Sequence, residues 1–283
     1  MFPFRHPSAT LLLLAGLLAT PAAVRAAEGY DNCTGFIDAL PATLTTQGVW
    51  CLRGDLSTAI TSGEAIAIAT NNVTIDCNDF KIGGLAAGDS SAARGIYAVN
   101  RQNATVRHCA IRGFYYGIHL DGGAGHLVED NRLDNNLYTG IWVTGANNRV
   151  QRNRIYDTGG SPDSCCSYGM VVHADVIDNT VAGVFGTTAN AYPSGIFVNG
   201  SGSEARGNQV RELAVAGAGT AYGIYGAGTG VTLADNRVSA ADTTPGGGIN
   251  GGGVNTFCTG NTVVNFATAY ASCDASAGNL TLP

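Results

Sequence analysis

The sequence predicts an all-β chain folded as a single-stranded right-handed parallel β-helix, a solenoid of about eight to ten coils. Three observations carry that expectation. A Gly-Ile marker recurs down the chain, an asparagine marker follows each one at a nearly fixed distance, and the segments around them alternate apolar and polar side chains.

The Gly-Ile-x-hydrophobic marker opens at Gly95, Gly117, Gly140, Gly195, Gly223 and Gly248, with Gly169-Met170 in the same role. The second marker, hydrophobic-x-x-Asn-x-hydrophobic, is centred on Asn131, Asn153, Asn179, Asn208, Asn236 and Asn261. Cys109 takes the asparagine place in one repeat, and Asn78 fits the frame earlier, between Ile75 and Phe80. From Gly-Ile to its Asn the count is 13 or 14 residues in every repeat but one, whereas from Asn to the next Gly-Ile it ranges from 8 to 16. A fixed arc and a variable arc are what packed strands on one side and a tolerant loop on the other produce. The asparagine column is expected to be structural, hydrogen-bonding from coil to coil at one bend and accepting left-handed backbone there.

Stretches such as Ile118-His119-Leu120-Asp121 and Ile141-Trp142-Val143-Thr144 alternate with period two, the pattern of half-buried strands. A repeat of fewer than 30 residues with no helical segment is too short for a βαβ unit, so each strand stacks on its counterpart in the next coil. The Leu-x-x-Leu-x-Leu frame of leucine-rich repeats is missing. No cofactor is expected: the cysteine spacings match no zinc motif, and calcium stays open without a motif to indicate it, the Gly-Gly-x-Gly-x-Asp frame of the calcium-binding nonapeptide roll being absent.

Residues 1–26 read as a signal peptide. Arg5 and His6 precede an apolar run from Ala9 to Thr20, too short to span a membrane, and Val24-Arg25-Ala26 offers a cleavage site. An N-terminal capping segment over 27–60 and a β-helix domain over 61–283 follow. The expected location is therefore the periplasm or the cell exterior, with no transmembrane span after cleavage. The eight cysteines fit an oxidising compartment. Cys33 with Cys51 and Cys258 with Cys273 are expected to staple the two ends, and Cys77 and Cys109 could meet across neighbouring coils. Adjacent Cys165 and Cys166 do not bond each other without strain. Cleavage takes the net charge from −6 to −8 and leaves Lys81 as the only lysine, which argues against a nucleic-acid partner.

With Asn72-Val-Thr-Ile-Asp-Cys-Asn78, the Gly-Ile markers and the asparagine column together, residues 60 to 280 resemble the right-handed parallel β-helix superfamily. Pectate lyases, polygalacturonases, alginate epimerases, phage tailspikes and NosD-like periplasmic proteins belong to it. The resemblance implies the fold and leaves the activity open. The Asn-Thr-Asp, Asp-Asp and Gly-His-Gly set of polygalacturonases is absent, as are the Asp-Pro-His-Asp of alginate epimerases and the Trp-Ile-Asp-His and Arg-x-Pro-x-x-Arg signatures of pectate lyases.

The candidate site comes from the outward residues. The position after each Gly-Ile reads Tyr97, His119, Trp142, Val171, Phe197, Tyr225 and Asn250, mostly rings where period two predicts polar groups. Two residues on, the column reads Val99, Asp121, Thr144, His173, Asn199 and Ala227. Sugar rings stack on aromatic faces while polar groups take the hydroxyls, so the expected partner is a polysaccharide or cell-surface glycan. Tyr97, Trp142, Phe197 and Tyr225 are the candidate binding residues, with Arg101 placed to neutralise a sugar carboxylate. His119, Asp121 and His173 are the candidate catalytic groups, His119 as general base and Asp121 as its orienter or as the acid, with His173 two coils, or roughly 10 Å, away. The long variable arcs at 153–169, 179–195 and 208–223 are expected to wall a groove with Tyr156, Tyr168, Tyr192 and Tyr222. Arg132 and Arg154 share a column beside the asparagines, read either as part of an ion-pair ladder with Glu129 or as a contact strip for an acidic polymer. The function expected is that of an exported β-helix that interacts with carbohydrate, with lyase or glycoside hydrolase chemistry as its enzymatic form. The alternative is a non-catalytic structural or adhesion module, or a NosD-like periplasmic accessory protein.

Overall fold

The computed structural model describes residues 29–162 and 165–282. The signal peptide expected at 1–26 lies outside them. The chain forms a parallel β-solenoid of about nine turns. One 3-10 turn, Leu85–Ala87, is the only helical element among the described residues.

Each coil contributes strands to three ladders. The Gly-Ile segments form the first: Arg94–Val99 pairs in parallel with Tyr116–Asp121, which pairs with the start of Thr139–Gln151, then Cys166–Ile177, Tyr192–Val198 and Ala221–Gly226. The second ladder runs through Thr105–Arg107, Leu127–Glu129 and the later half of Thr139–Gln151. The third runs through Ala110–Arg112, Arg132–Asp134, Arg154–Tyr156 and Thr180–Ala182. The segment expected as a cap contributes Gly35–Ile37, Ala42–Leu44, Gly48–Leu52 and Leu56–Ser57 to the same ladders.

Register explains the Gly-Ile marker. Ile96, Ile118, Ile141, Met170, Ile196, Ile224 and Ile249 stack in line, all fully buried. The glycine before each has no room for a side chain. A Cβ on Gly140 would lie 2.7 Å from the Gly169 carbonyl oxygen and 2.9 Å from Ile155 Cγ2; one on Gly169 would lie 2.5 Å from the Gly195 oxygen. The missing side chains let the inward residues of the third ladder, among them Leu133, Ile155, Val181 and Val210, fill the interior.

The asparagine column lies at the bend between the second and third ladders. Asn131 Nδ2 donates to Asn153 Oδ1 at 2.9 Å, and the pattern repeats from Asn153 to Asn179, Asn179 to Asn208, Asn208 to Asn236, Asn236 to Asn261 and Asn261 to Asn279. Each of these oxygens also accepts a backbone N–H from the coil before, and each Nδ2 reaches a carbonyl of the preceding second-ladder strand, as Asn179 does at Val150. At the other end the column meets Cys109, whose N–H donates to Asn131 Oδ1 and whose sulfur is bonded to Cys77. Left-handed backbone at this bend falls one residue earlier than expected, on Asp130, Arg152, Asp178 and Asp235 with φ near +54° rather than on Asn131, Asn153, Asn179 and Asn236; of the asparagines placed in the frame, Asn78 is the one that adopts it. The asparagines are chosen for their side-chain amides, which need both a donor and an acceptor.

Cys33–Cys51 and Cys258–Cys273 join near the two ends, with Cα atoms 5.8 Å apart in each. The three disulfides fit an oxidising environment. No helix among the described residues is long and apolar enough to cross a membrane.

Candidate functional site

The outward aromatic column stands on the first ladder. Tyr97 pairs in register with His119, His119 with Trp142, Trp142 with Val171, Val171 with Phe197 and Phe197 with Tyr225. Their rings form a chain: Tyr97 to His119 at 5.2 Å between centroids, His119 to Trp142 at 5.8 Å, and Phe197 to Tyr225 stacked at 5.2 Å with 2° between planes.

A second set of rings, of which the sequence singled out Tyr168 alone, closes the gap left by Val171. Tyr116 lies 4.5 Å from His119 and 5.7 Å from Trp142; Tyr138 lies 5.5 Å from Tyr116; Tyr168 lies 5.8 Å from Tyr138 and 6.3 Å from Phe197. Tyr116, Tyr168 and Tyr222 occupy the position just before the glycine, so they share the outward face of the first ladder. That signal was available in the period-two pattern. Burial drives the tyrosine hydroxyls toward their neutral form: the Tyr168 pKa is pushed up to about 12 by burial and then by Cys166, and Tyr138 is pushed higher still. Neither is a proton acceptor at neutral pH.

Two depressions lie side by side on the middle coils. One, of about 200 Å³, is lined by Tyr138, Trp142, Thr144, Tyr168, Val171, His173, Phe197 and Asn199. Val171 creates it, because a small side chain stands in register between two large rings. The other, of about 750 Å³, lies at the bend toward the second ladder and is polar, with Asn147, Arg149, Asp175 and Ser201 among its lining. His173 and Asn199 border both. An aromatic floor thus passes into a polar trough on three consecutive coils.

The structure corrects several expectations. His119 does not face solvent: it is 9 % exposed, enclosed by Tyr97, Tyr116 and Trp142, with its Nδ1 buried and without a hydrogen-bond partner. Burial, then the nearby Arg94 charge, lowers its pKa to about 4, against the weaker opposing effect of Asp121. An imidazole so poised is neutral at pH 7 and a weak base, so His119 packs the ring column. Asp121 is exposed and accepts a hydrogen bond from Thr144 Oγ1 at 2.8 Å. Arg101 lies beyond the strand, with its Nε buried and unpartnered, and borders neither depression. The arginine at the rings is Arg94, whose guanidinium carbon sits 4.6 Å over Tyr97 while Nη1 pairs with Glu64 at 3.0 Å.

Of the four tyrosines expected to wall the groove, Tyr168 lines it and Tyr156, Tyr192 and Tyr222 do not. The rest of the arcs, among the described residues, lies at the bend between the third and first ladders, where Phe185 packs by Gly159 and, with Leu85 and Leu137, lines a separate depression. Tyr168, Tyr192 and Tyr222 belong to strands of the first ladder, and Tyr156 ends a strand of the third.

The family model described as right handed beta helix region matches residues 57–210. The chain belongs to this right-handed β-helix family. Its model covers the coils that carry Arg94, the rings from Tyr97 to Phe197 and the groove. Among solved structures, the A-module of the mannuronan C-5 epimerase AlgE6 of Azotobacter vinelandii aligns with a TM-score of 0.40 at 14% identity, over 91% of this chain and 93% of that one. The AlgE4 A-module of the same organism aligns with a TM-score of 0.47 at 12% identity, over 90% and 88%. These are likenesses of fold alone. No curated protein matches the sequence.

Proposed function

We propose that this β-helix is an exported protein that binds a polysaccharide along the first ladder, with the chain seated in the groove over Trp142, Val171 and Phe197. One observation carries the reading: the rings run without a break from Tyr97 to Tyr225, and the face opens into a depression where the column narrows at Val171. Trp142 and Phe197 stand two coils apart, roughly 10 Å. A sugar ring fits over Val171 between them, its faces against aromatic carbon and its hydroxyls toward Thr144, His173 and Asn199. Three disulfides and the apolar N-terminal run support export.

The same groove supports a catalytic reading, as a lyase or a glycoside hydrolase, through His173. It is the histidine that borders both depressions, and Asp175 lies two residues on, with an Arg149 nitrogen 3.6 Å from its carboxylate. The test is a screen of the mature chain on an array of neutral, uronate-containing and sulfated polysaccharides, followed by product analysis on each polymer that binds. Binding to a defined glycan supports the first reading, and chain cleavage lost in His173→Ala supports the second. A wild type that binds no glycan leaves the non-catalytic display rod as the better account.

A further inference from the structure

We propose that Arg132 and Arg154 form a second site, which binds the carboxylate or sulfate groups of an acidic polysaccharide. The two residues are in register on adjacent strands of the third ladder, one coil apart. Like charges set directly opposite each other across a parallel pair are destabilising unless something compensates them. The chain's own carboxylates do so only for Arg132, and at long range. Glu129 and Asp130 are taken by Arg152, which donates from Nη2 to Glu129 at 2.7 Å and from Nε and Nη2 to the two Asp130 oxygens at 2.9 and 2.8 Å. Asp134 is held by Arg112 at 2.8 Å and lies 4.0 Å from Arg132 Nε. Arg154 has no ion pair among the described residues.

The ion-pair ladder at this bend therefore runs through Arg152, and Arg132 and Arg154 stand outside it. Both are exposed, and both line a depression of about 410 Å³ beside the asparagine column. Asp79, also in its lining, stands two coils from Arg132 along the ladder, roughly 10 Å. Two planar guanidiniums at coil spacing suit an oxyanion with two or more acceptor oxygens, which each arginine can meet with parallel N–H donors. Strands here repeat every 4.8 Å or so, a spacing that suits a polymer presenting one acid after another better than a single small ion. The acidic chain as a whole, at −6, disfavours a nucleic acid as the anion. This site lies beside the bend between the second and third ladders, apart from the aromatic groove on the first, and does not depend on it.

The experiment is affinity electrophoresis through gels containing polygalacturonate, heparin or a neutral glucan, with single-stranded DNA as a further gel. Wild type is compared with Arg132→Gln/Arg154→Gln, with Arg132→Lys/Arg154→Lys, with Arg211→Gln/Arg237→Gln further along the same ladder, and with Trp142→Ala. The expected result is retardation by at least one acidic polysaccharide that weakens about tenfold or more in the glutamine pair and less in the lysine pair, which keeps charge and loses the fork. The Arg211/Arg237 pair, equal in charge removed, should stay near wild type. The polymer that retards identifies the anion as carboxylate or sulfate. Equal retardation of wild type and the Arg132/Arg154 glutamine pair overturns the site, as does retardation by DNA alone or by no acidic polymer. A loss confined to Trp142→Ala overturns it too and leaves the groove reading standing.

Discussion

The imidazole of His119 lies 4.5 Å from the ring of Tyr116, three residues earlier on the same strand, and the two rings meet Trp142 of the next coil at 5.8 and 5.7 Å. A histidine that the alternating pattern places outward is thereby enclosed by aromatic carbon. It joins the rings on either side into one surface, and its low pKa follows from that enclosure.

This predicts an acid-sensitive fold. The folded pKa of His119, about 4, lies below the ordinary 6.5. Between those values the unfolded chain binds the proton and the folded chain does not. The stability is fully present above about pH 6.5 and is lost as pH falls toward 4. Buried His126, also lowered, acts in the same direction. His119→Phe should therefore lose less stability than wild type between pH 7 and 4.5, by on the order of 1–3 kcal/mol in urea melts. Parallel pH profiles would show that His119 is protonated freely in the folded state.

Asn179 sits in the middle of the amide column, fully hydrogen-bonded above and below. Asn179→Ala removes the acceptor for the Asn153 N–H and Nδ2 and the donor to Val150, leaving buried polar groups unpaired. A loss of about 3 kcal/mol or more is expected in chemical denaturation. Asn279, at the last turn and more exposed, should cost less on the same substitution.

Gly140→Ala tests the close approach of the coils. The added methyl meets the Gly169 carbonyl and Ile155 at under 3 Å, so the coils must part or the core must shift. The expected loss is about 1–3 kcal/mol. Gly54→Ala, where a Cβ meets nothing within 4 Å, is the matched control and should melt as wild type does.

The coil and its columns were legible because each depends on one position repeated at fixed spacing: Gly-Ile from the glycine stack, the asparagines from their amide chain. The site was only partly legible. Trp142 and Phe197 stood out because a large ring at an outward position breaks the alternation. Tyr168 reads as a loop wall and Tyr116 escapes notice although the alternation turns it outward, whereas Tyr138 lies before its strand and its part in the surface depends on which rings face it in neighbouring coils. The same holds for charge: Arg94 and Arg101 look alike in the sequence, and only the fold puts Arg94 over Tyr97. The long arcs misled for a physical reason, as their lengths vary freely at the bend before the first ladder, and only Tyr168 of their tyrosines reaches the groove.

Trp142 bears most directly on the central claim. Titration calorimetry of the mature protein with the glycan found by array screening should give a Kd that rises about fivefold in Trp142→Ala, near the 1 kcal/mol of one stacking ring. The fold should remain intact by circular dichroism. An unchanged Kd in a folded Trp142→Ala protein would contradict the account and leave the ring column as packing between coils.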